Sequence, residues 1–541
     1  MSEKNKQNSS NRSSGIYMMR KLLLVFFVFI LPHKNFAQQV ICPASQGLNV
    51  LVEHQIFNSS LHSAIKPFLN IDLDQTIAIY GSHDTIKSER NSFKNYYKKS
   101  AVNIGKLGFL VRPIYDLSAG FDFKSSRTLV STVGGIIVDA DFKRKIGIEI
   151  RIAGGTSTLP NYLDSIASFS GVMPGWGDRA YSNGNSSYSF QHISGNLIWR
   201  PSKIFNLQVG RDKHFWGDGY RSLFLSDVSA AIPYIKQTTS IWKLQYVSLF
   251  GWMQDYTQAN GFASGFRNKF GTFHYLSYNA TKWFNVGVFE SVIWQGTDSN
   301  RQRGFDVNYL NPVIFFRPVE YSLGSSDNSM LGLSLKFRLN KNNQIYSQFL
   351  LDEFYLKEIL AQNGWWANKQ AYQLGFKCFN FAKVNNLYLQ TELNIVRPFT
   401  YSHGSTQQNY SNAGNSLAHP LGANFMELIG IISYTHSRFF VSGKLVGARF
   451  GLDLNGANYG QNINRSYTSR DHEYSNFLFQ GLKTNLYYAE LKIAFTFKTT
   501  FPLRLELVAG ARNHTNVLST NSGSYFQFGF SLPIWNTYRD Y

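Results

Sequence analysis

The sequence predicts an all-β fold: a transmembrane antiparallel β-barrel of about 18 strands, preceded by a short, partly helical periplasmic segment. Three observations predict it. Runs of about ten residues alternate apolar and polar positions, and tight turns alternate with long polar connections along the chain. The polar face of these runs carries charges of both signs, as a wet lumen inside a lipid-facing wall requires. Finally, no stretch has the ~20 apolar residues of a spanning helix.

The first element is a presequence. Arg20 and Lys21 form a basic start, Leu22 to Leu31 an apolar core, and Asn35-Phe36-Ala37 a cleavage site before Gln38. Residues 1–37 are thus read as presequence, with the signal peptide over 20–37 and the true start at Met18 or Met19. Ile41 is too bulky to precede a lipoprotein cysteine at Cys42. Residues 38–105 lack strand alternation, and Lys87 to Lys99 is charged with helical character. This segment is expected in the periplasm, where it would cap or plug the lower mouth of a barrel formed by 106–541.

Seventeen strands are expected, at 107–124, 128–142, 145–154, 186–199, 204–212, 237–250, 268–279, 283–294, 330–339, 342–351, 370–380, 385–396, 425–436, 438–449, 485–497, 502–513 and 523–532. The alternation is clear in several. Leu331, Leu333, Leu335 and Phe337 oppose Ser334, Lys336 and Arg338; Leu491, Ile493 and Phe495 oppose Glu490 and Lys492; Leu503, Leu505, Leu507 and Ala509 oppose Arg504, Glu506 and Arg512. Cys378 falls on an apolar face and is expected to meet lipid. Tyr525 to Tyr541 resembles the aromatic terminal strand that barrel-insertion machinery reads.

An odd strand count is wrong for a single-chain bacterial barrel with both ends in the periplasm. Short turns near 143, 200, 280, 340, 381, 437 and 498 should be periplasmic, and long connections such as 352–369, 397–424 and 450–484 extracellular. Both sets fit if one more strand lies between 213 and 236. Tyr220-Arg221-Ser222-Leu223-Phe224-Leu225-Ser226, after Gly217-Asp218-Gly219, is the best candidate. Two connections then fit less well: 125–127 is short for the outside and 227–236 long for the inside.

Formal charge is +20, and 47 basic against 32 acidic residues leave +15 beyond residue 37. Such an excess favours anionic partners: acidic polysaccharide, outer-membrane lipopolysaccharide or nucleic acid. Export argues against nucleic acid. The chain has no G-x-S-x-G, H-E-x-x-H, P-loop or paired-cysteine pattern, so no enzyme activity, cofactor or metal is expected. Asp212, His214 and Asp218 could be drawn as an acid/base set, but no nucleophile accompanies them. His403 and His419 match no metal-ligand spacing.

Four segments, GRDKHFWGDGYRSLFLSD (210–227), NYLNPVIFFRPVEYS (308–322), LNIVRPFTYSH (393–403) and LAHPLGANF (417–425), resemble the outer-membrane capsule-assembly family typified by Wzi. The similarity is nearest to the Bacteroidota branch, which includes gliding-motility (RemB-like) proteins. It implies an eighteen-stranded barrel with a periplasmic helical segment, binding capsular polysaccharide or exopolysaccharide at the cell surface.

Sugar recognition needs aromatic faces beside cationic or amide groups. Extracellular loops are expected to offer Trp216, Tyr220, Trp365, Trp366, Tyr401 and Tyr410 beside Arg221, Arg317, Arg397 and His403. The rival reading is an open channel, or a barrel serving gliding or secretion machinery.

Overall fold

The computed structural model describes residues 53–54, 56–69, 72, 101–104, 107–143, 145–257, 265–298, 301–302, 304, 306–311, 314, 327–497, 503–532 and 536–541. The presequence, Cys42, Lys87 to Lys99 and Arg317 lie outside them.

Eighteen full strands close into one antiparallel barrel. They are β1 (Leu107–Asp122), β2 (Arg127–Phe142), β3 (Ile146–Thr158), β4 (Ser187–Trp199), β5 (Phe205–Asp212), β6 (Ile232–Ile241), β7 (Leu244–Asp255), β8 (Arg267–Tyr278) and β9 (Phe284–Gln295). They continue with β10 (Asn328–Arg338), β11 (Asn343–Leu351), β12 (Gln370–Cys378), β13 (Leu387–Val396), β14 (Phe425–His436), β15 (Phe439–Leu452), β16 (Leu482–Thr496), β17 (Arg504–Thr515) and β18 (Thr520–Ser531). Each strand pairs with its sequence neighbour, and β18 pairs back to β1 from Tyr525–Asp122 to Ser531–Asp116. Closure leaves no open edge, which is how a sheet satisfies its backbone in lipid. Among the described residues two helices sit in the long connections, α1 (Asn161–Ser170) and α2 (Leu356–Ala361).

The alternation read from sequence is realised as two faces. Leu491, Ile493 and Leu507 are exposed on the outer wall. Lys492, Arg504 and Glu506 line a cavity in the lumen. Cys378 is a free, half-buried thiol in the same outward register as the exposed Leu374.

The total of eighteen is as expected, but the extra strand is elsewhere. The run 237–250 is a hairpin: β6 and β7 meet at Trp242-Lys243, with Ile241 opposite Leu244. Trp242 adopts φ 55, a left-handed conformation normally left to Gly or Asn, so nothing in the sequence marked a turn. This reversal moves 213–231 to the long-connection end and removes the long inner turn. Tyr220 to Ser226 is no wall strand; it is buried on both sides within the bore.

The last strand also differs from expectation. β18 ends at Ser531 with Phe526, Phe528 and Phe530 facing out. Residues 536–541 leave the sheet and lie in the interior, where Tyr538 and Asp540 are buried.

Candidate functional site

Residues 213–231 descend from the long-connection end into the lumen, and all but Gly219 are buried. Burial of the apolar side chains draws the segment in. Phe224 stacks on Phe289 of β9 at 4.6 Å, and Trp216 meets Phe273, Tyr275 and Phe289 edge-on at 6.0–6.3 Å. From the short-turn end, residues 53–69 rise to meet it. Ile65-Lys66 pairs with Phe215-Trp216, and Ser63 donates to Asp218. His62 contacts Ser277 at 2.7 Å, and Arg338 donates to the Ser59 carbonyl at 2.7 Å.

The tip of the inward segment is held by charge. Glu392 on β13 accepts the backbone N–H groups of Tyr220 and Arg221 at 2.7 and 3.0 Å. Gly219 permits this approach, because a Cβ there would overlap the Glu392 carboxylate. Arg221 Nη2 contacts Glu427 of β14 at 3.1 Å and Asp540 at 3.0 Å, while Lys444 of β15 reaches Asp540 at 3.0 Å. Burial alone would raise the Asp540 carboxyl, but Arg221 and Lys444 outweigh it and hold it below the usual carboxylate range. Arg221 is likewise kept charged against burial by Asp540 and Glu427. Tyr538 and Asn536 tie Asp227 at 2.7 and 2.8 Å. The described residues of 53–69, with 213–231 and 536–541, therefore occupy the bore beside a cavity lined by Lys444, Glu490, Lys492 and Arg504.

The candidate acid/base set is dispersed. Asp212 pairs with Arg151 at 3.2 Å and accepts from Asn196 at 2.8 Å, whereas Asp218 faces Ser63 and Lys336. His214 packs edge-on against Tyr234 at 4.4 Å, and burial first, then Lys236, pushes its imidazole well below its ordinary value. A His192–Asp178 contact of 2.6 Å continues to Ser194 at 3.3 Å, but the Ser194 hydroxyl is buried. His419 bonds Glu427 at 2.6 Å. Among the described residues no cluster of metal-ligating side chains occurs.

Of the sugar-site candidates, Trp216, Tyr220, Arg221, Tyr401 and Tyr410 are buried instead of exposed on loops. Tyr401 and Tyr410 stack at 5.6 Å and donate to the Leu223 and Phe224 carbonyls at 2.9 and 2.6 Å, so they brace the inward segment. Arg397 donates to the Asn368 and Asn476 carbonyls at 2.7 and 3.3 Å, a clamp between loops. His403 is buried beneath Tyr467, 5.5 Å away. Arg317 lies outside the described residues.

Trp365 and Trp366 do come together with new partners. Residues 363–366 run beside 473–476, and both indole N–H groups donate to Glu473, at 3.2 and 2.8 Å. Arg470 lies 4.3 Å over the Trp366 ring and pairs with Glu473 at 2.9 Å through Nε. Trp366 is thereby covered, while Trp365 stays half-exposed against Tyr355 at 6.2 Å. Tyr355, Tyr474 and Phe477 are about half exposed around it. This aromatic ledge with its cation is a group of sugar-compatible faces that these loops assemble; another is Arg179 over the Tyr181 and Phe266 rings at 5.2 and 5.6 Å. The sequence reading missed Tyr355, Tyr474, Phe477 and Arg470, although aromatics spaced through a polar connection were the available signal.

No protein-family model matches the chain, and no curated protein sequence does. Among solved structures it is similar to Wzi of Escherichia coli, an outer-membrane protein involved in group 1 capsule assembly and described as a carbohydrate-binding β-barrel. The TM-score is 0.56 at 12% identity, covering 91% of this chain and 99% of that one. This is an outer-membrane barrel fold. More remote are OccAB2 of Acinetobacter baumannii (TM-score 0.43, 10% identity, 78% and 98% coverage) and OprD of Pseudomonas aeruginosa (0.41, 8%, 78% and 93%).

Proposed function

We propose that this chain resides in the outer membrane with its long connections outside, and that it binds and anchors an acidic capsular polysaccharide or exopolysaccharide without cleaving it. One observation carries the reading: segments fixed through buried ion pairs occupy the bore, so the long-connection surface is the face best placed to meet a partner. On that surface Trp365, Tyr355, Tyr474 and Phe477 offer carbon faces beside Arg470, a chemistry suited to sugar rings bearing carboxylates. The +15 balance beyond residue 37 adds long-range attraction to an acidic polymer. The fold shared with Wzi, a carbohydrate-binding barrel, supports the same reading.

The test is retention of acidic polysaccharide by the purified full-length barrel. Trp365→Ala with Tyr474→Ala should weaken binding about thirtyfold without altering barrel assembly, since stacking faces are worth roughly 1 kcal/mol each. Added salt should weaken it too, because exposed charges are screened beyond ~8 Å at physiological ionic strength. Salt-insensitive binding or shortened polymer would overturn the reading. A steady open conductance in planar bilayers would favour a channel.

A further inference from the structure

Below the inward segment the bore keeps a cavity of about 220 Å³ against β14 to β18 and β1, roofed by Tyr220 and Tyr538. Its lower lining stands beside the short turns: Phe440 follows the turn between β14 and β15, Arg504 opens β17 and Ser531 closes β18. A ligand would therefore enter from the short-turn end, away from the connections that carry the aromatic ledge.

The charges of this lining do not cancel. Three pairs are closed: Lys377 with Glu53, Lys444 with Glu490 at 3.4 Å, and Arg504 with Glu506 at 3.1 Å. Three further cations reach the cavity from three different elements: Lys492 from β16, Lys66 from the lower filling and Arg539 from the C-terminal segment. Lys66 donates to the Gly217 carbonyl at 3.2 Å, and Arg539 donates to the Gln527 side chain. Among the described residues none of these three forms an ion pair, and of the lining acids only Asp116 is in the same state. Three cations against one acid, inside a low-dielectric wall, draw an anion.

Hydroxyl groups point the same way. Ser433 on β14 is 2% exposed, and its hydroxyl has no hydrogen-bond partner among the described residues. The Ser531 hydroxyl has none there either. Both residues line the cavity. A buried hydroxyl left unpaired is costly and uncommon, and these two are placed to donate to a guest or accept from it. The rings of Trp176 and Tyr388 line the same space and add carbon faces. Cations, hydroxyls and rings in a cavity this small suit one sugar ring that bears a carboxylate.

We propose that this cavity binds a single hexuronic acid, with Lys492 and Arg539 taking the carboxylate and Ser433 and Ser531 the ring hydroxyls. The site is separate from the loop ledge and needs no polymer. It rests on the barrel fold alone, so it can fail while the loop reading stands.

The full-length barrel, purified in detergent, is titrated with glucuronate, glucose and inorganic phosphate in a calorimeter. One glucuronate per barrel is expected. Glucose lacks the carboxylate and phosphate lacks the ring, and each should bind at least about tenfold more weakly. Lys492→Gln should weaken glucuronate binding about tenfold by removing a charge-assisted hydrogen bond. Ser433→Leu, which fills the cavity, should abolish it. Both variants should keep the heat-modifiable migration of a folded barrel. Glucose or phosphate bound as tightly as glucuronate would overturn the proposal. So would glucuronate affinity unchanged in both variants, which would move the sugar acid to the loops. Failed retention of polysaccharide, beside glucuronate binding that these variants weaken, would uphold the cavity and overturn the loop reading.

Discussion

Two connections leave the same end of the barrel and settle in opposite places. Residues 213–231 turn down the bore and are buried almost throughout, whereas 453–481 lie across the mouth and are mostly half-buried or exposed. The difference follows from who satisfies their polar groups. The inner segment carries Phe215, Trp216, Leu223, Phe224 and Leu225, and its charges and backbone find partners on the wall, such as Glu392 and Glu427. The outer one finds its partners within itself and in neighbouring connections: Asn458 donates to Ser466 and Ser469 at 2.9 and 3.1 Å, Arg465 pairs with Asp453 at 2.5 Å, and Ser466 donates to the Gly404 carbonyl at 2.7 Å. A polar connection enters a barrel when the wall supplies what it lacks, and stays out when it and its neighbouring connections supply it.

The strongest way to break this contrast is to remove a charge from each connection. Arg221→Ala should cost about 3–5 kcal/mol in thermal unfolding of the purified barrel, because it strands the buried Glu427 and Asp540. Arg465→Ala, in a partly exposed pair, should cost under about 1 kcal/mol. Equal losses would mean that the inner charges are as hydrated as the outer ones.

Acid probes a weakness common to both. Burial first, then Lys369, lowers His403 to about 4. Its folded value lies below the unfolded ~6.5, so the stability held by the neutral ring is full above pH ~6.5 and falls away toward pH 4, by at most about 3 kcal/mol. The Tyr467 N–H donates to the His403 carbonyl at 3.3 Å, which links this ring to the outer connection. Hydrogen exchange over 453–481 should therefore accelerate as pH drops, after correction for intrinsic rates. His403→Gln should flatten that change while leaving the acid response of 213–231, which follows His214. An unchanged acid response of 453–481 in the variant would dismiss His403 as its source.

A smaller effect than that of Arg221→Ala belongs to Gly219→Ala. Its Cβ would overlap the Glu392 carboxylate, and overpacking of this kind costs about 1–3 kcal/mol. Gly456→Ala in the outer connection meets open space and carries only the strain of φ 83, expected at about 1 kcal/mol. Thermal unfolding of both variants would rank the two connections by how tightly each is seated.

The wall was legible because alternation is a property of each strand by itself: Leu491 and Ile493 against Lys492 needs no knowledge of neighbours. The bore was not. Tyr220 to Ser226 alternates like a strand, yet both of its faces are covered, one by the wall and one by the rest of the filling. Trp242-Lys243 turns without Gly, Asn or Pro, so β6 and β7 read as one strand and the parity argument reached the right total through the wrong segment. Of the recognition residues, Trp365 was legible as a tryptophan in a polar connection. Tyr474 joins it only because 473–476 crosses to lie beside 363–366, a pairing that no local pattern announces.

The seating of Arg221 also bears on the order of assembly. Its carboxylate partners lie 206 and 319 residues further along the chain. Contacts of such separation form late, after the entropy of closing long loops has been lost. Residues 213–231 thus leave β5 with only β6, β8 and β9 to pack against, and Arg221 gains its carboxylates only once β14 has curved around it and 536–541 have followed β18 inside. The filling is a guest of the finished cylinder, and a barrel stalled before its seam closes would carry this segment unmoored, its phenylalanines and tryptophan bare to whatever holds nascent barrels soluble.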